Sequence, residues 1–121
     1  MDLVTANLAI TEQWIAAFNA HDVDRLLLLY DYDAKHYSPR LKQREPETGG
    51  WISGHTALKA WWAGSFERIS ELKYTLQNCI ANETQVFMEY LREAPGDSPI
   101  VVAELLEING GKIHRSRIVG S

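Results

Sequence analysis

The chain has 121 residues and a mass of 13.7 kDa, which suits one compact domain and leaves no room for a second. Its composition, 45% hydrophobic and 23% charged, is that of an ordinary globular protein and excludes disordered and fibrous classes. The formal net charge of -4, without a cluster of Lys or Arg, argues against nucleic-acid binding.

Apolar segments in the sequence are short. The longest run, residues 26–29 extended by Tyr30, is far below the roughly 20 residues that cross a bilayer, and no basic segment with a hydrophobic signal core opens the chain. The single cysteine, Cys79, can form neither an internal disulfide nor a cysteine-based metal cage. We therefore expect a cytoplasmic protein without membrane contact, in which Cys79 packs inertly in a strand.

Three helices are predicted in the first half of the chain. The first covers residues 5–20 with Thr5 as its N-cap. Asp22 caps a second, short helix that ends near residue 31 and includes Tyr30 in its buried stripe. The third covers residues 54–67. The apolar positions of the first and third helices recur at helical spacing: Leu8, Trp14, Ile15 and Phe18, then Leu58, Trp61, Trp62 and Phe66.

A short strand and a long loop are predicted between the second and third helices. Residues 34–38 alternate and stop at Pro39, which puts His36 and Ser38 on one face of a strand. Residues 39–53 are polar and rich in Pro and Gly, and they predict a loop with one large apolar residue, Trp51. Loops of this length are often functional.

The second half of the chain has the pattern of antiparallel strands. Residues 72–81, 85–93 and 100–108 are rich in β-branched or aromatic residues and are separated by turn sequences. A final strand, over residues 112–119, follows the hairpin signal Asn109-Gly110-Gly111. Helices first and an antiparallel meander afterwards predict an α+β fold with a curved sheet against a helix layer.

The order of these segments resembles a known superfamily. The string WIAAFNAHDVDRLLLLY, a YSP strand end, the pattern GxxALxAWW and the hairpin NGGKI are similar to the nuclear transport factor 2-like superfamily, and within it to SnoaL-like proteins of the polyketide cyclase and ketosteroid isomerase type. The resemblance covers nearly the whole chain. It implies a cone-shaped α+β barrel of the cystatin-like fold, with three N-terminal helices on a curved, mainly antiparallel sheet. It also implies a cavity between sheet and helices that holds a small hydrophobic molecule.

Ketosteroid isomerases have three catalytic positions that can be compared with this chain. Where they place a tyrosine hydroxyl the chain has Trp14, and where they place a general-base aspartate before a proline it has Ser38, whose hydroxyl is too weak a base. Isomerisation by that mechanism is therefore not expected. Where they place a protonated carboxylic acid the chain has Glu104. If Glu104 faces the cavity, desolvation raises its pKa and lets it donate a hydrogen bond or act as a general acid.

Glu104 has a second possible role as an ion-pair partner of Arg115 or Arg117 across the sheet. The hairpin register decides between the two roles. A three-residue loop at residues 109–111 places Glu104 opposite Ser116, whereas a two-residue loop places it opposite Arg117. The resemblance favours the first register, in which Glu104 and Ser116 face the cavity.

His36, Tyr30 and His114 are further candidates for handling protons. The family pattern points His36 into the cavity, where a histidine can act as acid or base at neutral pH. The alternative is a histidine packed against Trp14 or Tyr30 with one nitrogen on a backbone carbonyl. The Tyr30 hydroxyl can polarise a substrate carbonyl or bind the backbone, and in the favoured register His114 shares a face with Glu104.

Large aromatic and small hydroxyl side chains are the candidate ligand-binding residues, although an aromatic stripe also fits an ordinary core. They are Trp14, Phe18, Ser38, Trp51, Trp61, Trp62, Phe66 and Ser116. Because Trp61 and Trp62 diverge by about 100° on a helix, we expect one to face the cavity and the other the sheet edge or a partner. No metal or other cofactor is predicted, since the His residues lack ligand spacing and the two adjacent glycines lack a phosphate-loop setting.

Two functions stay open at this point. The first is a cofactor-independent isomerase, cyclase, dehydratase or hydrolase that acts on a small hydrophobic molecule through Glu104 and His36. The second is a non-catalytic module for small-molecule binding or dimerisation. In either case we expect a homodimer, because the outer face of the strand with Val101, Ala103 and Leu105 is apolar and the helices can cover only one face of the sheet.

Overall fold

The computed structural model describes residues 2–121. Helices and two strands make up residues 3–68, and four strands follow. In chain order they are α1 (Leu3–Asn19), α2 (Val23–Leu27), β1 (Tyr30–Tyr37), α3 (Pro39–Arg44), β2 (Trp51–Ser53), α4 (His55–Arg68), β3 (Lys73–Ala81), β4 (Gln85–Glu93), β5 (Ile100–Asn109) and β6 (Lys112–Gly120). A single 3-10 turn, Pro46–Thr48, joins α3 to β2.

The strands form one sheet in the order β2-β1-β6-β5-β4-β3. Every neighbouring pair is antiparallel except β1 and β6, which run parallel. Helix α1 packs on β3 and β4, and α4 packs on β1 and β2. The predicted α+β architecture with a mainly antiparallel sheet is therefore confirmed. No helix within residues 2–121 combines the length and the apolar character needed to cross a bilayer.

Side chains alternate across the sheet with a period of two. On β4, Val86, Met88, Tyr90 and Arg92 are buried toward the helices. Since Met88 pairs with Glu104 on β5, the inward face of β5 is fixed as well. The bounds of β3 to β6 lie within one residue of those predicted, because long alternating runs between strong turn signals leave little freedom.

The first two helices differ from the prediction at their ends. Asp2, not Thr5, caps α1, since its carboxylate accepts a hydrogen bond from the Thr5 amide at 2.7 Å. Asp22 caps α2 as predicted. The placement of Tyr30 in that helix was wrong, because the Leu29 carbonyl accepts a hydrogen bond from the Ile113 amide and the chain leaves the helix to pair with β6.

Residues 39–53 are not the long loop that was predicted. Pro39 begins α3, and the Ser38 hydroxyl caps this helix by accepting a hydrogen bond from the Arg40 amide at 3.2 Å. Residues 51–53 form the edge strand β2, in which Trp51 pairs with Tyr37 of β1. Such short elements, with Leu41 the one buried residue of α3, carry too little periodicity to be recognised in the sequence.

The β5–β6 hairpin has neither of the two registers considered from the sequence. Its turn has two residues, both glycines with positive φ, and a β-bulge follows in which His114 is the extra residue of β6. Glu104 consequently lies opposite Ile118 instead of Ser116 or Arg117. Because this register differs from the favoured one by two residues, Glu104 and Ser116 still face the same side of the sheet.

Candidate functional site

A cavity of about 170 Å³ lies between the inner face of the sheet and helices α1, α3 and α4. Aromatic rings form much of its wall, together with one buried carboxyl group and several arginines. For comparison, a dry void of about 150 Å³ is large enough to bind benzene. The cavity therefore has room for a compound with one six-membered ring.

Glu104 supplies the buried carboxyl group and is only 1% exposed. The Tyr90 hydroxyl donates a hydrogen bond of 2.7 Å to its Oε1 atom. Its Oε2 atom is buried, and no atom among residues 2–121 forms a hydrogen bond with it. Burial raises the pKa of Glu104 to about 7, although the bond from Tyr90 opposes the shift. Near neutral pH this carboxyl group therefore populates both protonation states.

The alternative ion pair between Glu104 and an arginine of β6 is wrong. Arg115 and Arg117 project to the outer face of the sheet, where their partner is Glu107. Glu104 projects to the inner face, because neighbouring residues of a strand point to opposite sides. The arginines of β6 therefore leave the Glu104 carboxyl group without a countercharge.

Two tyrosines that the sequence analysis overlooked hold Glu104 in place. Tyr90 stacks on Tyr74 with ring centroids 4.1 Å apart, and Tyr74 stacks in turn on Phe18 at 3.8 Å. Burial raises the pKa values of both tyrosines, so the Tyr90 hydroxyl stays protonated and donates a hydrogen bond to Glu104. Alternate residues of β4 face inward, and Tyr90 is two residues from Met88, which pairs with Glu104. This spacing is the sequence signal that identifies Tyr90.

A chain of hydrogen bonds crosses the floor of the site. The Trp14 indole N–H donates to the Tyr30 hydroxyl at 3.0 Å, and Tyr30 donates to the Ser116 hydroxyl at 3.0 Å. Ser116 Oγ lies 2.7 Å from His36 Nδ1. If Ser116, which accepts from Tyr30, donates its own proton to Nδ1, the neutral histidine carries its proton on Nε2.

His36 is buried beside Trp62, with ring centroids 5.4 Å apart. Burial lowers the pKa of His36 to about 4, so the ring is neutral at physiological pH instead of titrating there. Its Nε2 atom has no hydrogen-bond partner in the described chain, and the residue lines the cavity. In the tautomer with the proton on Nε2, His36 offers an N–H donor to a molecule in the cavity.

Arginines gather around the opening of the cavity. Arg92 is buried in its wall, whereas Arg40, Arg44 and Arg68 are exposed at the rim. The sequence analysis did not select any of them. The position of Arg92, two residues after Tyr90 on the inward face of β4, is the signal that could have found it.

The sequence and the fold of this chain are similar to those of known proteins. Residues 11–116 match the family model of the SnoaL-like domain. The chain belongs to the SnoaL-like domain family. A search of functionally curated proteins finds no match.

Several solved structures share the fold of this SnoaL-like domain. A SnoaL-like protein of unknown function from Burkholderia thailandensis E264 is 23% identical, with a TM-score of 0.83 over 96% of this chain and 93% of that one. An NTF2-like protein from Anabaena variabilis ATCC 29413 is 19% identical, with a TM-score of 0.77 over 97% and 87%. TerC, co-crystallised with polyporic acid, is 17% identical, with a TM-score of 0.79 over 96% and 92%.

Most of the predicted site residues lie together in this SnoaL-like domain. Glu104, His36, Trp14, Phe18 and Ser38 line the cavity, and Tyr30 and Ser116 lie behind His36 in the hydrogen-bonded chain. Their roles stay predictions.

Both adjacent tryptophans of α4 contribute to the wall, so the expectation that only one does so was wrong. Trp62 is buried, and Trp61 is half-buried at the rim with the Arg68 guanidinium 5.7 Å from its ring. A separation of about 100° still leaves both side chains on the half of the helix that borders the cavity.

Besides Tyr30 and Ser116, three of the predicted residues do not line the cavity. His114 is exposed on the bulge of β6, and the shared face with Glu104 was wrong because the bulge was not foreseen. Trp51 lies on β2 beside Tyr37 and faces the Arg115 side of the sheet. Phe66 packs against Phe18 in the core. Within residues 2–121 no three His, Cys, Asp or Glu side chains are grouped to hold a metal ion.

Proposed function

We propose that this SnoaL-like domain binds a small, mainly hydrophobic molecule in its cavity and transfers a proton to or from it through Glu104, as a cofactor-independent isomerase or cyclase. The single observation that carries the proposal is the buried, unpartnered Oε2 atom of Glu104 in an aromatic wall. A buried polar atom without a partner is rare in proteins, and a bound ligand would supply one.

The surroundings of Glu104 suit proton transfer. A pKa of about 7 is the value at which a group is present as both acid and base and exchanges protons efficiently at neutral pH. Tyr90 fixes one carboxyl oxygen and leaves the other for the ligand. The neutral His36 ring adds a second donor, which can stabilise negative charge on a carbonyl oxygen of the substrate.

The comparison with TerC supports the binding part of this proposal. That protein was co-crystallised with polyporic acid, which is a precedent for a small organic molecule with this fold. The cavity of the present chain, about 170 Å³, favours a ligand whose buried part is a single ring.

The proposal is tested first by native mass spectrometry of the freshly purified protein, followed by denaturation and analysis of released compounds. We expect a defined ring compound with a carbonyl or hydroxyl group. Deuterium exchange at carbons next to the carbonyl, in that compound or in a panel of cyclic ketones, then measures proton transfer by NMR. Glu104→Gln should slow the exchange at least about 100-fold, whereas Glu89→Gln on the outer face should not. Equal exchange rates in both variants would contradict the role of Glu104.

A non-catalytic binding module is the second candidate, and the hydrogen-bonded floor favours it. Apart from His36 Nε2, the chain from Trp14 through Tyr30 and Ser116 to His36 pairs its own donors and acceptors, as a structural network does. A protein that retains the released compound but catalyses no exchange would support this function.

We also propose that two copies associate through the outer face of the sheet. Ile80 and Val101 are exposed there, and Leu105 is partly exposed between them and a group of charges. Glu107, Arg115 and Arg117 provide both signs of charge at one side of this apolar face, so the same surface on a second copy can complement it.

A further inference from the structure

Arg92 is the only buried side chain among the arginines and lysines of residues 2–121, at 5% exposed. It follows Tyr90 on the inward face of β4 and lines the cavity. Its ion-pair partner is Asp97, at 3.6 Å from Nη1, and the described chain provides no hydrogen bond to its guanidinium. A guanidinium has five N–H donors, so this single contact leaves most of them available to a ligand in the cavity.

The rim of the cavity reinforces this positive charge. Arg40 and Arg44 come from α3 and Arg68 from α4, and all three are exposed there. Among residues 2–121, Glu104 is the only acidic side chain that lines the cavity, and its burial favours the neutral form. In a chain of net charge -4, four arginines around one opening form a local positive potential that attracts anions.

We propose that the ligand of this cavity is a ring-sized carboxylic acid in its ionised form, whose carboxylate binds Arg92 while the ring fills the aromatic part of the cavity near Glu104. The inference rests on the proposed small-molecule function and adds the chemical class of the ligand. The planar guanidinium matches a carboxylate with two parallel hydrogen bonds, which a neutral polar group cannot reproduce.

Asp97 competes with the ligand carboxylate for the Arg92 guanidinium in this arrangement. Its side chain is 57% exposed, so it binds Arg92 from the solvent side and can move away when a ligand carboxylate arrives. Removal of its charge should therefore strengthen ligand binding without disturbing the core. This variant tests the inference even if substitutions of Arg92 impair folding.

The test compares phenylacetate with phenylacetamide, which have the same ring and nearly the same shape but differ in charge. Binding is measured by tryptophan fluorescence, since Trp14, Trp61 and Trp62 line the cavity, and by calorimetry. We expect the wild-type protein to bind phenylacetate at least about tenfold more tightly. Arg92→Gln should abolish that preference and Arg92→Lys should retain part of it. Arg25→Gln, an equal change of charge at an exposed position of α2, should leave the preference intact.

Asp97→Asn should tighten phenylacetate binding several-fold and leave phenylacetamide binding unchanged. Equal affinities of the wild type for the two compounds, or a preference that survives Arg92→Gln in a folded protein, would overturn the carboxylate inference alone. Failure of the wild type to bind either compound, while the freshly purified protein releases a neutral ring compound, would also overturn it but leave the proposed function standing. Failure to bind either compound without any released compound would count against both.

Discussion

Burial raises the pKa of Glu104 and lowers the pKa of His36, although both residues line the same cavity. The pKa of Glu104 rises to about 7 and that of His36 falls to about 4, because desolvation favours the neutral form of each. Compared with the unfolded state, the folded state therefore binds a proton on Glu104 more tightly and a proton on His36 less tightly. As pH falls from about 6.5 to 4.5, Glu104 stabilises the folded state while His36 destabilises it.

The contribution of Glu104 can be isolated with Glu104→Gln. Because the pKa of Glu104 is higher in the folded state, its contribution to the free energy of unfolding is complete below the unfolded value of 4.5. This contribution is lost as pH rises through about 7. The free energy of unfolding of the wild type should thus decline relative to Glu104→Gln over this range, by up to about 3 kcal/mol. Urea denaturation of both proteins between pH 4 and 8 measures the difference, and curves that stay parallel would exclude the raised pKa.

Tyr90→Phe removes the hydroxyl that opposes the pKa shift of Glu104. We expect the pKa of Glu104 to rise further, because its ionised form loses the hydrogen bond to Oε1. The free energy of unfolding should fall by about 1 kcal/mol or more, since a buried acceptor loses its donor. NMR titration of a side-chain 13C label on glutamate detects the shift. An unchanged or lower pKa would show that Tyr90 does not stabilise the carboxylate.

At the scale of single residues, sequence reasoning found the carboxyl group but not its neighbours. Glu104 could be selected because a carboxylate in an apolar strand is unusual. Arg92 and Tyr90 were missed because β4 is hydrophobic at several positions of both faces, and only pairing with β5 decides which face is inward. Once that pairing is assumed, the alternation of β4 puts Tyr90 and Arg92 on the same face as Glu104.

At the scale of elements, α3 links the fold to the rim of the cavity. Ser38 caps this helix, and the helix carries Arg40 and Arg44. Ser38→Ala should lower the free energy of unfolding by about 1 kcal/mol, because the Arg40 amide loses its acceptor. Ser38→Thr retains the acceptor oxygen and should lose less. Urea denaturation compares the two, and an Ala variant as stable as the wild type would show that the cap contributes nothing.

The long elements were predictable and the irregular ones were not. Strands β3 to β6 and helix α4 follow from strong periodicity. The bulge at His114 leaves no such signal, since one inserted residue changes pairing without changing composition. The same bulge moved Glu104 to a position opposite Ile118, so the predicted orientation was right while the predicted partners were wrong.

At the scale of the whole molecule, the outer face of the sheet lacks the cover that the helices give the inner face. Leu105→Glu should yield a monomer or an insoluble protein, because a charge would enter the proposed contact between copies. Leu28→Glu, on an exposed position after α2, is the matched control and should leave the assembly unchanged. Sedimentation velocity distinguishes the species, and an unaltered dimer of the Leu105 variant would reject this surface.

The position of β6 in the sheet bears on how the chain folds as it is made. This strand is synthesised last of the six, yet it lies between β1 and β5. The bond from Tyr30 to Ser116 spans 86 residues, and such distant contacts slow folding because the intervening chain must be ordered first. A nascent chain on the ribosome therefore carries two unpaired strand edges until β6 emerges, and during that interval it is most exposed to aggregation.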